Sequence, residues 1–184
     1  MRAIKSFSIF LVLFTSASVT GATRDYVRET FVQKDFHPYV YDDSEIVTAY
    51  GPGIVSKSDY DISRSYYDEN SKLWVTFTGD ADQTEKYRTI SEVIVSTPGP
   101  AGNKYLFRGD LEKICLFGLS IGSPEKDVIR VAKAKYGYKK KKVIFLKRNF
   151  DEIMFYPSSD NTNTYYRYLI GEGKVVALAI GVTE

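Results

Sequence analysis

The feature that most narrows what this chain can fold into is a faint internal echo. Residues Phe31 to Gly51 (FVQKDFHPYVYDDSEIVTAYG) align without a gap on Phe117 to Gly137 (FGLSIGSPEKDVIRVAKAKYG), at an offset of 86. The offset superposes Phe31, Pro38, Tyr50 and Gly51 on Phe117, Pro124, Tyr136 and Gly137. Four identities in 21 positions gain weight because each stretch leads into the same order of strand-like segments, closing near Thr97 in one half and Thr183 in the other. A repeated helix-then-strands order predicts an α+β fold of two tandem helix-plus-antiparallel-sheet units, residues 23–98 and 99–184.

The helix signal is clearest after Gly122. Ser123 suits a cap, Pro124 the first helical position, Glu125 and Asp127 the positive end, and Gly137 a left-handed exit. Val128, Val131, Ala132 and Tyr136 form one apolar stripe at three- and four-residue spacing. In the first half Asp42 or Asp43 caps a shorter helix with Ile46, Val47 and Tyr50 as its stripe and Gly51 as its stop. Strand periodicity then marks Ile62–Tyr67, Leu73–Thr78 and Thr89–Ser96, and later Val143–Leu146, Ile153–Tyr156, Tyr165–Ile170 and Val175–Val182. Gly171-Glu172-Gly173-Lys174 reads as a tight hairpin, and Ser96–Asn103, with its glycines and prolines, as the linker between the units.

Residues 1–22 have the three-part form of a secretory signal: Arg2 and Lys5, an apolar run from Phe7 to Phe14, and small residues up to a cleavage point after Gly21 or Ala22. The apolar run is too short for a membrane anchor, no cysteine stands near the cleavage point to accept a lipid, and no later segment is long and apolar enough to span a bilayer. The expected location is therefore secreted or periplasmic. Without the signal the chain carries 23 basic and 23 acidic residues, a balance that argues against a nucleic-acid partner. The balance is uneven: residues 23–110 hold 10 basic and 15 acidic side chains, residues 111–184 hold 13 and 8. Such halves attract each other or steer a dipolar partner.

Residues suited to catalysis do not gather in any recognisable motif. There is no HExxH, CxxC, GxSxG, P-loop or Gly-rich dinucleotide turn, so no cofactor is implied. His37, the single histidine, stands where its repeat partner is the cap Ser123. The single cysteine, Cys115, sits among Ile114, Leu116 and Phe117 and reads as buried and inert. Asp59, Asp61, Asp80 and Asp82 lack the spacing of a calcium loop and read as solvated loop acids. The chain is accordingly read as no enzyme and as holding no metal.

Two features point to binding instead. The chain has 15 tyrosines and one tryptophan, concentrated in strands. A helix covers one face of a sheet, so alternation leaves some aromatics on the other, where they make large contacts at low entropic cost. Alternation turns Leu73, Val75 and Phe77 inward and Trp74 and Thr76 outward; in the later strands it turns Tyr166 and Tyr168 inward and Tyr165 and Arg167 outward. The partner-binding residues expected on the open face are Tyr66, Trp74, Tyr156, Tyr165 and Arg167. The run Lys139, Lys140, Lys141 and Lys142 marks a protected edge strand or turn, or a strip that steers an acidic partner.

The order Gly118, Gly122, Ser123, Val128 and Gly137, followed by a last hairpin with Lys174 and Val175, resembles the small exported domain shared by the β-lactamase inhibitory proteins and the BamE/SmpA family. The resemblance covers the second half directly and the first through the internal repeat. It implies two fused units whose sheets grip a partner enzyme, though the chain lacks the cysteine pair of the inhibitory proteins and the lipid-attachment cysteine of the BamE type. The expected function is thus an exported, non-enzymatic protein-binding module of inhibitor type, acting on an exported enzyme or envelope protein. A periplasmic scaffold for outer-membrane or envelope assembly and a cryptic carboxylate hydrolase are the alternatives.

Overall fold

The computed structural model describes residues 24–33, 41–135, 137–156 and 163–183. The signal segment, His37 and Tyr136 lie outside these residues. Among the described residues there are eight strands: β1 Ile54–Lys57, β2 Asp61–Asp68, β3 Leu73–Asp80, β4 Ile90–Ser96, β5 Lys139–Phe145, β6 Arg148–Phe155, β7 Thr164–Gly171 and β8 Lys174–Val182. The helices are a three-residue α1 (Tyr26–Arg28) continued by a π-helical turn (Glu29–Gln33), α2 (Asp43–Tyr50) and α3 (Glu125–Lys135).

Turn chemistry fixes the local pairing. Between β7 and β8 the two-residue loop Glu172-Gly173 has φ of 52° and 73° at its central positions. Positive φ at both is what a type I′ turn requires, and its twist matches the strands it joins. The expected hairpin at Gly171–Lys174 is therefore present. Between β5 and β6 the loop is Leu146-Lys147, with φ of 48° and 64°, in an arrangement usually given to Asn-Gly. That sequence carries no turn signal, which is why periodicity alone places Leu146 inside a strand; Lys139–Lys142, expected as an edge strand or a turn, form the first part of β5.

The expected two units are not what forms. All eight strands make one antiparallel sheet in the order β1-β2-β3-β4-β8-β7-β6-β5. The join is β4 against β8, with five residue pairs running from Glu92 opposite Gly181 to Ser96 opposite Ala177. The chain order of a helix followed by four strands does occur twice, and the offset of 86 carries β1 onto β5, β2 onto β6 and β4 onto β8. This echo is one of element order within a single sheet. Neither half closes on itself, because β4 and β8 would each leave an open edge of Ile, Val and Ala.

The expected linker is structural as well. Thr97 N–H donates to Val176 O at 2.9 Å, keeping the chain on β8 as it leaves β4. Further on, Tyr67 N–H donates to Tyr105 O and Phe107 N–H to Tyr67 O, both at 2.8 Å, so the segment runs beside β2. Asp68 is buried in the β2–β3 turn and accepts from Ser71 Oγ at 2.7 Å, Asn70 N at 3.0 Å and Leu111 N at 3.1 Å. Phe107, Leu111, Ile114, Leu116 and Leu119 from this segment are all buried.

The helices pack on one face of the sheet. Ile46 and Tyr50 of α2 and Val128 and Ala132 of α3 join Val75, Phe77, Val93, Ile153, Phe155, Tyr168 and Leu178 in one continuous cluster drawn from both halves. Tyr50 lies near its centre, stacked on Phe77 at 5.8 Å and tilted against Phe107 at 4.8 Å. α2 starts with the Glu45 side chain reaching back to Asp42 N–H at 3.2 Å and stops at Gly51, whose φ is 88°. A Cβ at Gly51 would lie 2.3 Å from Tyr105 Oη, so that residue must be glycine for packing as well.

A buried ion cluster holds α2 to the sheet. Asp43 Oδ1 meets Arg64 Nε at 2.5 Å, and Oδ2 meets Arg64 Nη2 at 3.1 Å and Arg88 Nη1 at 2.5 Å. Arg64 continues to Glu85 at 2.7 Å and Pro52 O at 2.8 Å, while Arg88 reaches Asp80 O and Gln83 O. Two cations and two anions balance. Removing one anion strands the guanidiniums in a poorly solvated site, so Asp43→Ala should lower the unfolding free energy by about 3–5 kcal/mol, read as a drop in the urea midpoint. Conversely, Leu146→Asn with Lys147→Gly should raise it by about 1–2 kcal/mol, since the left-handed strain is relieved at an exposed turn.

Candidate functional site

The second face of the sheet has none of the described helices against it, and strand registers arrange its side chains in rows. One row runs Ser63, Thr78, Glu92, Gly181, Tyr165; the next runs Ser65, Thr76, Ile94, Ala179, Arg167, Met154, Lys139. A third runs Tyr67, Trp74, Ser96, Ala177, Leu169, Glu152, Lys141. β8 contributes only Ala177, Ala179 and Gly181 to these rows. Small residues there leave room for long side chains of β7 to cross the sheet.

Tyr165 and Arg167 use that room. A Cβ on Gly181 would lie 2.3 Å from Tyr165 Oη, so glycine is what lets the ring lie across β8. Tyr165 Oη then donates to Glu92 Oε1 at 3.1 Å, and Arg167 Nη2 donates to Glu92 Oε2 at 2.6 Å. On its other side Arg167 Nη1 meets Glu152 Oε2 at 3.4 Å, and Lys141 Nζ lies 3.2 Å from Glu152 Oε1. Lys141 supplies charge there without the alignment of a hydrogen bond, and Arg167 Nε has no hydrogen-bond partner. The result is an alternating chain, Glu92, Arg167, Glu152, Lys141, spanning β4 to β5.

Burial sets the electrostatics. It raises the Glu92 carboxyl above the ordinary glutamate range, helped by the nearby Glu152 and Asp61, while Arg167 and Tyr165 oppose the rise without cancelling it. Burial, together with the Glu92 charge, also pushes the Tyr165 phenol up, so it stays a donor. At this end of the face lies a cavity of about 460 Å³ bordered by Tyr60, Asp61, Asp80, Asp82, Glu92 and Tyr165. Among the described residues no group of histidine, cysteine and carboxylate side chains is arranged to hold a metal.

The expected binding residues divide. Tyr165 and Arg167 face outward as alternation required, and Tyr156 stands 38% exposed just past β6. Tyr66 does not belong to the set: it is fully buried on the helix side and donates to Gly51 O at 2.7 Å. Its outward neighbour is Tyr67. Trp74 is on the outer face as expected, yet it is only 6% exposed, because the chain at Gly99 lies on its ring and Tyr67 packs 5.0 Å away. Lys104 Nζ, 3.6 Å from the Tyr67 ring, completes the cover of this corner.

Lys139–Lys142 form the exposed edge strand β5, but three of the four are answered from within the chain. Lys140 reaches Glu125 of α3 at 2.5 Å and Asp151 at 3.4 Å, Lys142 pairs with Asp151, and Lys141 with Glu152. Cys115 also departs from expectation: it is exposed, because Ile114 and Leu116 turn inward and leave it between them. Sequence reading missed Glu92 and Glu152. For Glu92 the available signal was a single carboxylate at an outward position of β4, an otherwise uncharged strand, within reach of an outward arginine; Glu152, beside Asp151 in a polar stretch of β6, carried no such signal.

A raised carboxyl has a definite sign in stability. The folded state holds the Glu92 proton to higher pH than the unfolded state does, so its contribution is present below the ordinary value of 4.5 and is lost as pH rises through the folded value. Glu92→Gln should remove that fall, leaving a flatter stability profile above pH 4.5 than the parent in urea unfolding series.

No protein-family model, no curated protein and no solved structure matches this chain. None of these comparisons identifies the β-lactamase inhibitory or BamE/SmpA family.

Proposed function

We propose that this chain is an exported, non-enzymatic protein-binding module that docks a partner on the sheet face opposite its helices. The observation that carries the reading is the one-sided cover of the sheet: α2 and α3 pack on one face, while the other presents Tyr165 and Arg167 held in place by buried carboxylates. Aromatic and arginine side chains fixed before contact are the type that dominate binding energy. The charge of the face also suits a folded protein of dipolar surface. Its Asp61, Asp80 and Asp82 end takes basic groups, and its Lys139 edge takes acidic ones. An inhibitor of an exported enzyme is the preferred form of this role.

The test is capture by the tagged mature chain from envelope and culture fluid, with the bound partner's footprint mapped by amide exchange. Thr78→Arg places bulk on the open face while leaving the helix-side core untouched, and Lys126→Glu changes an exposed position on α3. Capture should be lost with Thr78→Arg and kept with Lys126→Glu, both variants melting like the parent. Protection confined to the helix layer, or capture indifferent to Thr78→Arg, would refute the open-face reading.

A further inference from the structure

On the opposite side of the molecule from the open face is a second, larger concavity. It has a volume of about 880 Å³ and lies between α1, α3 and the 110–118 segment, within the size range of ligand pockets. Its apolar wall is made by Phe31, Ile114, Phe117, Val131 and Ala134, with the Cys115 thiol on the same wall.

Part of this wall is held at a cost. Leu116 and Leu119 exchange backbone hydrogen bonds at 2.8 and 3.0 Å around a two-residue turn, Phe117-Gly118, with φ of 53° and 77°. Phenylalanine in the left-handed region costs about 1–2 kcal/mol relative to an unstrained position. The turn is fixed by Phe117 packing edge-on to Tyr166 at 4.9 Å and against Phe155 at 5.5 Å, and by Tyr168 Oη bonding Leu116 O at 2.7 Å. An aromatic ring is thus kept at the wall of the groove and a thiol is left accessible beside it.

The charges at the mouth are asymmetric. Arg28, Lys113 and Arg130 stand there, all exposed, against Asp25 and Asp110. Both acids are turned to groups of the chain itself: Asp25 accepts from Arg28 N at 3.1 Å and Tyr50 Oη at 3.3 Å, and Asp110 from Glu112 N at 2.8 Å. Among the described residues Arg130 meets Asp127, one turn back on α3, in an exposed pair of little strength.

From this combination of apolar wall and cationic mouth we infer that the groove binds an amphipathic monoanion, an apolar or aromatic body bearing one carboxylate. The body lies against Phe117 and Val131, and the carboxylate faces Arg130 and Lys113. Cys115 then reports occupancy, because a ligand in the groove covers its thiol.

The experiment uses the full mature chain and the rate at which Cys115 reacts with the neutral reagent 4,4′-dithiodipyridine. Dodecanoate, below its micelle concentration, should slow the reaction, while dodecylammonium at the same concentration should not. Lys113→Glu with Arg130→Glu should weaken protection by dodecanoate about tenfold, the effect of removing about 1.4 kcal/mol of charge attraction. Ala134→Trp, at an exposed position of α3, should abolish protection by filling the groove, with the melting temperature kept as the check on folding. Equal protection by the ammonium, or no protection by dodecanoate together with no heat of binding when it is titrated calorimetrically into the same folded protein, would overturn the inference.

Discussion

The pairing of β4 with β8 is the constraint on which the rest depends. It brings the final strand of the chain into the middle of the sheet, between the last strand of the first half and β7. The apolar core and the open-face ion chain both cross that seam. The apolar cluster under the helices runs through Val93 and Val95 of β4 into Leu178 and Ile180 of β8, and the open-face ion chain crosses the same seam as Tyr165 and Arg167 reach Glu92. Neither half therefore completes its core or its surface until the C-terminal strand is in place. A non-local closure of this kind slows folding, because the loop entropy is spent before the strand contacts are gained.

Two balanced ion clusters sit on opposite faces of this sheet, and they do different things. Asp43 with Arg64, Arg88 and Glu85 ties the first turn of α2 to β2 and to the β3–β4 loop. Glu92 with Arg167, Glu152 and Lys141 links β4, β7, β6 and β5 on the face that none of the described helices covers. Buried ion pairs of this type add little to stability compared with apolar residues of the same shape, but breaking one is costly. Their value here is geometric: each allows one arrangement of the elements it joins.

Much of this was readable from sequence wherever a local rule decides. The α3 stripe at Val128 and Ala132, the Glu172-Gly173 hairpin and the inward and outward faces of β3 and β7 follow from periodicity and turn chemistry. The β4–β8 partnership was not readable, since Ile-Val-rich strands look equally suited to any apolar neighbour. Tyr66 was misplaced for a related reason. It shares its face with Arg64, and an arginine ordinarily marks the solvent side; here Asp43, 21 residues earlier in the chain, neutralises that arginine inside the core. Trp74 had the right face but not the right exposure, because the cover comes from Gly99, a residue that reads as linker.

The small residues of β8 link the sheet to the proposed docking role. Ala177, Ala179 and Gly181 are poor at filling space, and a sheet centre made of them would be weak if its neighbours did not cross over it. Tyr165 and Arg167 do cross, and they are anchored to a carboxylate on a strand two positions away in the sheet. A side chain fixed in this way has already lost its rotamer freedom in the folded monomer. A partner meeting it avoids the ordering cost, about 0.5–1.5 kcal/mol for each side chain immobilised on association. The same crossing that closes a weak sheet centre therefore leaves a rigid aromatic and a rigid guanidinium at the face that the described helices do not cover.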